Sequence, residues 1–258
     1  MAPAPASIKG SIARLMVILF GIFAIIWGAS VLPQALHDAP LERTAERVIA
    51  GEPFGLESLT GLIPAIQEVE RRELARPAAL RSATILRLRL VEEAMKSGDR
   101  FTIDDHLEAL ENVTRKALNY MPSDSFLWLV LFWSEGARNG FDPRQIEYLR
   151  MSYQVGPNEG WVAAKRNHLA LTIFEHLPSD LAERALDEFA ALVNSFFYRD
   201  AADILMGPGW ALRDKLLPRL QSLPERHRVN FSKALSHAGY PLDLIGAERP
   251  APRRPWRD

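Results

Sequence analysis

Residues Leu15–Leu32, LMVILFGIFAIIWGASVL, form an eighteen-residue stretch without a charge, closed by Pro33. As a helix rising 1.5 Å per residue it would be roughly 27 Å long, near the thickness of a hydrocarbon core. It is apolar on every side rather than along one stripe, which disfavours a core helix of a water-soluble fold. The run therefore predicts a transmembrane helix with its ends at Leu15 and Leu32. Lys9 and Arg14 precede it and the next basic side chain is Arg43, so the positive-inside bias predicts a cytoplasmic N-terminus and export of everything after Pro33. Trp27 suits an interfacial anchor. A cleaved signal peptide is the competing reading, because Gly28, Ala29 and Ser30 are small. The length of the run and the lack of a cleaner A-x-A site favour an uncleaved anchor, and the bulk is exported either way.

Around this run the chain divides into a disordered cytoplasmic lead-in (1–14), the span (15–32), a linker (33–37), an all-α domain (38–245) and a disordered Pro/Arg tail (246–258). With 258 residues and 48% apolar content it can bury a sizeable core. A net charge of -1 argues against a broad basic face for nucleic acid. The absence of cysteine removes disulfides, thiolate zinc sites and cysteine nucleophiles together.

After the linker, Asp38-Ala39-Pro40 reads as a helix start, and that helix ends at Gly51. Ser58 to Ala75 reads helical with Pro64 as an internal break or a boundary, and Pro77 opens a strongly periodic helix to Lys96. Thr102 and Asp105 resemble a capping box for a helix carrying Leu107, Leu110, Val113, Ala117 and Leu118. Pro122 stops it, and Ser123 or Ser125 is expected to cap FLWLVLFWSEGARNG. That segment is apolar nearly all round but its uncharged run, Ser125 to Ser134, is about half the length of a span, so it predicts a central core helix. Asp142-Pro143 starts a further helix, Asn158 is expected to cap the one carrying Trp161, and Pro178 opens an amphipathic helix with Leu181, Leu186 and Phe189. No stretch alternates with period two for long enough to be a strand.

Ala117, Pro122, Trp128 and Leu131 fall where a tetratricopeptide array places the late alanine and closing proline of one repeat and the W-x-x-L of the next. Pro122 to Pro157 spans 35 residues, one more than the tetratricopeptide period. Phe132 stands where the motif has glycine and Glu135 where it has tyrosine. The chain thus resembles a divergent tetratricopeptide-like helical-hairpin solenoid over roughly 78–176. MSYQVGPNEGWVAAKRNHLAL and LDEFAALVNSFFYRDAADILMGPGW also look like a group of single-pass alphaproteobacterial proteins linked with exopolysaccharide or O-antigen assembly. That resemblance implies a bacterial inner-membrane protein with a periplasmic bulk and an integral membrane polysaccharide-assembly protein as partner. It brings no catalytic motif.

Asp104, Asp105, His106, Glu108 and Glu111 crowd one helix, where an acidic first turn complementing the helix dipole explains them without a metal. His168 and His176 lack a carboxylate at ligand spacing. Gly156-Pro157-Asn158-Glu159-Gly160 and Gly207-Pro208-Gly209-Trp210 lack phosphate-loop spacing, and no nucleophile elbow or zincin helix occurs. The reading therefore assigns no catalytic, cofactor-binding or metal residue and no cofactor. Trp128, Trp161, Lys165 and Arg166 are the residues of a possible partner groove, with the alternative that Trp161 packs inward while Lys165 and Arg166 stay solvated. Arg249, Arg253, Arg254 and Arg257 with Trp256 could touch anionic lipid or acidic polysaccharide. The expected function is a scaffold or regulator in polysaccharide polymerisation, ligation or export. The alternatives are a glycan-modifying enzyme with carboxylates on separate helices, and a structural membrane subunit packed through Gly21 and Gly28.

Overall fold

The computed structural model describes residues 8–240, so the expectations for residues 1–7, 241–245 and the tail 246–258 lie outside the described residues. Within them the chain is all α, with no strand. It divides into two compact units, residues 1–106 and 107–258.

The first unit holds α1 (Ile8–Ile49), α2 (Leu56–Thr60), α3 (Ile63–Arg71), α4 (Pro77–Ser97) and the start of α5 (Arg100–Tyr120). Three expectations are corrected by α1. Asp38-Ala39-Pro40, read as a helix start, lies inside it. Residues 8–14, read as disordered lead-in, and residues 33–37, read as a linker, are both helical. Pro33 removes one amide donor and crowds the carbonyl four residues back, which bends a helix without ending it when the flanking residues favour helix. The bend is 40°, at a break between Ser30 and Leu32. No single helix among the described residues is long and apolar enough to cross a membrane, although the pair Arg14–Ser30 and Leu32–Ile49 meets the length and composition together.

Only the second half of α1 is packed. Asp38, Leu41 and Ala45 recur at helical spacing on its buried face, against α4. The segment between α3 and α4 runs beside that half and is tied to it by charge. Arg72 donates to Asp38 at 2.7 Å, and Arg76 reaches Glu42 at 2.9 Å and the second oxygen of Asp38 at 3.7 Å. Gln34 Nε2 donates to the Leu74 carbonyl at 3.3 Å. Arg87 grips both oxygens of Glu70 at 2.8 and 2.7 Å, joining α3 to α4. Pro64, expected as a break or a boundary, lies at a boundary, in the first turn of α3. The first turn of α5 is held by Asp99, which accepts from Thr102 Oγ1 and the Phe101 amide.

The second unit holds the rest of α5, then α6 (Ser125–Asn139), α7 (Ile146–Val155), α8 (Gly160–Thr172), α9 (Ser179–Asn194), α10 (Tyr198–Met206), α11 (Arg213–Arg219) and α12 (Glu225–His237). Helix α6 pairs with α7 and α8 with α9, while α6 also touches α8, α8 touches α10 and α9 touches α11. The first two pairs start 35 residues apart, at Ser125 and Gly160. Their caps differ from expectation. Asp124 accepts from the Phe126 and Leu127 amides, where Ser123 or Ser125 was expected. Glu159, not Asn158, precedes α8 and makes no side-chain cap. Asp142 does begin a capped turn, with Gln145 completing a capping box.

Helix α6 is a core helix: Phe126, Leu127, Leu129, Val130, Leu131 and Phe132 are all buried. Two residues of the acidic cluster on α5, Glu108 and Glu111, both pair with Arg138.

The two carboxylates facing Arg72 and Arg76 should differ in weight. Asp38 has a side chain only 1% exposed, whereas Glu42 and Arg76 are each about a quarter exposed. Asp38→Asn is expected to cost about 1–3 kcal/mol and Glu42→Gln less than about 1 kcal/mol, read as the shift in urea midpoint of the purified full chain.

Candidate functional site

The sequence KRN at 165–167 splits in the structure. Lys165 is exposed, while Arg166 and Asn167 are fully buried. Arg166 is therefore neither in a groove nor solvated, which corrects both readings. It sits on the face of α8 defined by Val162, Ala163, Ala170 and Leu171, so helical geometry turns it inward.

A buried guanidinium is tolerated only when its charge and donors are matched. Arg166 Nε and Nη2 donate to Glu188 Oε1 at 3.0 and 2.5 Å. Nη1 donates to the Ser152 carbonyl at 2.7 Å and to Ser152 Oγ and the Gly156 carbonyl at 3.2 Å, and Nη2 also reaches the Gly156 carbonyl at 3.2 Å. The guanidinium carbon lies 4.3 Å from the centre of the Tyr153 ring. Tyr153 in turn donates to Glu188 Oε2 at 2.9 Å. Burial pushes the Glu188 carboxyl up against the opposing pull of Arg166, and burial together with Glu188 pushes the Tyr153 phenol well up, so the phenol remains a donor.

The same cluster holds the loop between the two helix pairs. Ser152 Oγ donates to the Ser125 carbonyl at 2.8 Å, and Ser125 Oγ donates to Glu159 Oε2 at 2.8 Å. Gly156 must be glycine here, because a Cβ would lie 2.3 Å from that of Ser125. At Gly160 a Cβ would lie 2.6 Å from the Phe197 ring. Phe197 follows Phe196, whose φ of 69° lies in the left-handed region at the end of α9. The Phe197 amide returns to the Leu192 carbonyl at 3.0 Å, closing α9 in the manner usually given to a glycine.

An open cavity of about 570 Å³ lies over this network, walled by Tyr153, Pro157, Ala163, Arg184 and Leu192, with Glu188 among its lining. Asp187 also lines it and is bound by Arg219 at 2.7 Å. Both carboxylates are thus committed to arginines. Glu188 has each oxygen engaged, while the Asp187 side chain is 67% exposed. Exposed Arg184 has no acidic partner among the described residues. The chemistry on offer is an apolar wall, one accessible cation and the exposed carboxylate of Asp187, a combination suited to binding.

The other groove residues lie outside this cavity lining. Trp128 is half-buried, its Nε1 donating to the Pro122 carbonyl at 2.8 Å and its ring stacked on Tyr148 at 6.1 Å. Trp161 is half-buried against Phe126 at 5.1 Å. Both tryptophans pack between helices, as the inward alternative expected for Trp161. Among the described residues no group of three or more His, Asp or Glu is arranged to hold a metal. His176 packs on Phe141 at 4.9 Å, and partial burial with Lys165 nearby lowers the pKa of His168.

Sequence reasoning missed Ser152, Tyr153 and Glu188. Glu188 had a signal: it falls on the face of α9 marked by Leu181, Ala185 and Leu192. A charge on that face, with one of opposite sign on the buried face of α8, points to a pair.

Two outcomes test the network. Arg166→Met alone strands the Glu188 charge and is expected to cost about 3–5 kcal/mol, while the double variant with Glu188→Leu recovers most of it, measured by equilibrium urea unfolding. Gly156→Ala should cost about 1–3 kcal/mol by overpacking against Ser125, and Ser125→Gly should relieve part of that loss.

No family model matches the chain, no curated protein matches it, and no solved structure matches it.

Proposed function

We propose that this chain is a single-pass, membrane-anchored scaffold or regulatory protein, its helical pairs forming a tetratricopeptide-like binding array in the periplasm. One observation carries the reading. From Leu15 to Trp27 the large apolar side chains of α1, among them Phe20, Phe23 and Ile25, are uncovered on every face of the helix. Each costs about 1.5–3 kcal/mol in water relative to burial, which supports a hydrocarbon environment for the segment. Lys9 and Arg14 before it and the lack of a basic residue until Arg43 favour a cytoplasmic N-terminus.

The array reading is supported by the 35-residue offset of the two helix pairs and by the contact of α6 with α8. The commitment of buried Glu188 to Arg166 supports binding over glycan hydrolysis, which needs two carboxyl groups free to act. The cavity beside Arg184 is the surface we assign to the partner, in place of a groove at Trp128 and Trp161. An accessory role in exopolysaccharide or O-antigen assembly rests on the resemblance of residues 151–171 and 186–210. It makes the partner an integral membrane polysaccharide-assembly protein.

A periplasm-dependent reporter fused after Asp258 is expected to be active, and activity of a cytoplasm-dependent reporter there instead would defeat the topology. With a photo-crosslinking residue at Asn158, the expected adduct is a membrane polysaccharide-assembly protein. Arg184→Glu should reduce that adduct several-fold with the melting temperature unchanged, and an unaltered adduct would remove the cavity from the reading.

A further inference from the structure

We infer that the segment joining α3 to α4 is a second membrane contact, in which Leu74 enters the interfacial zone of the same lipid leaflet that α1 enters; this rests on the anchor reading above. Leu74 is 82% exposed, although the neighbouring Ala75 is buried. A leucine so uncovered gains nothing from its own fold, and its position is fixed by its neighbours. The hydrogen bond from Gln34 to the Leu74 carbonyl holds the segment against α1 two residues beyond Leu32.

The order of contacts along α1 gives the segment a direction. Arg76 reaches Glu42 and Asp38, Arg72 reaches Asp38, and Leu74 meets Gln34. Leu74 is therefore the point of the segment nearest the apolar run. Two residues of helix correspond to about 3 Å along the axis. The headgroup zone on each side of the hydrocarbon core is about 5–7 Å deep, so a side chain at this level lies within it. Leu36, 65% exposed and on the next turn of α1, continues the uncovered apolar surface past Leu32. The occupant that fits an exposed leucine held at the level of an apolar helix end is the lipid interface, since apolar side chains there sink about 5–10 Å into the headgroup and acyl boundary. With its paired arginines turned to Asp38 and Glu42, the segment brings no uncompensated charge from Arg72 or Arg76 to that boundary.

The chain has no cysteine, so a single introduced thiol is a unique label. Full-length Leu74→Cys and Leu32→Cys variants, spin-labelled and reconstituted in phosphatidylethanolamine/phosphatidylglycerol vesicles, report depth through relaxation by oxygen against a water-soluble nickel chelate. Both labels are expected to favour oxygen, with Leu74 the shallower. A label at Leu74 that favours the nickel chelate while the one at Leu32 favours oxygen overturns the inference and leaves the anchor standing. Nickel preference at both positions overturns the anchor and the inference together. Circular dichroism matching the parent chain certifies that each variant is folded, and Leu74→Ser, labelled at Leu36→Cys, provides a second reading: the expected result is a shift of the Leu36 label toward water, and no shift counts against the inference.

Discussion

A guanidinium without solvent around it must find its counter-charge and acceptors for its N–H groups inside the protein, and the second unit is arranged about that requirement at Arg166. Glu188 supplies the charge from α9, Tyr153 supplies a ring face and the hydroxyl that fills the remaining carboxylate oxygen, and Ser152 and Gly156 supply carbonyls from the end of α7. Three consecutive helices are thereby tied to one side chain. The ion pair is costly to create and costlier to break, so its main product is specificity of packing rather than net stability. Only one register of α7, α8 and α9 satisfies every polar atom in the set, and the cavity keeps its shape because its floor cannot rearrange piecemeal.

The first unit uses the same residue types at a lower degree of burial. Arg72 and Arg76 lie partly in solvent, and only Asp38 among their partners is sealed away. Solvent lowers both the cost and the yield of such pairs. The result is a fastening between α1 and the segment before α4 that sets orientation more than it adds stability. Packing of Leu41 and Ala45 against α4 carries more of the stabilising weight there.

The all-α class, the core placement of α6 and the turn before α8 were legible because each rests on local signals: helical periodicity, proline and glycine at boundaries, and an apolar segment too short to span. The continuation of α1 through Pro33 was not, because proline is a local breaker whose effect is overridden once the flanking turns are packed or apolar. The cap of α6 was misplaced by one residue, since Ser123, Asp124 and Ser125 are all good cap residues and only the backbone geometry selects among them. The candidate site was the least legible part. Arg166 lay in a run, Lys165-Arg166-Asn167, that composition reads as surface, and its partners come from 10 to 22 positions away along the chain. Its helical phase was visible in the sequence; the identity of Ser152 and Tyr153 as partners depends on how α7 packs against α8 and α9, a tertiary relation that local signals do not carry.

The fastening at Gln34, Asp38 and Glu42 also determines the azimuth of the apolar half of α1. Because the helix is continuous apart from its bend, the side of the N-terminal half that carries Gly21 and Gly28 keeps a set rotational phase relative to Arg72 and Arg76. One residue added to or removed from the stretch between Trp27 and Gln34 would turn that side by about 100° about the helix axis while leaving the apolar composition untouched. Length in this stretch is therefore information about direction. An exchange for an apolar helix of a different length would change the bearing of the first unit around that axis.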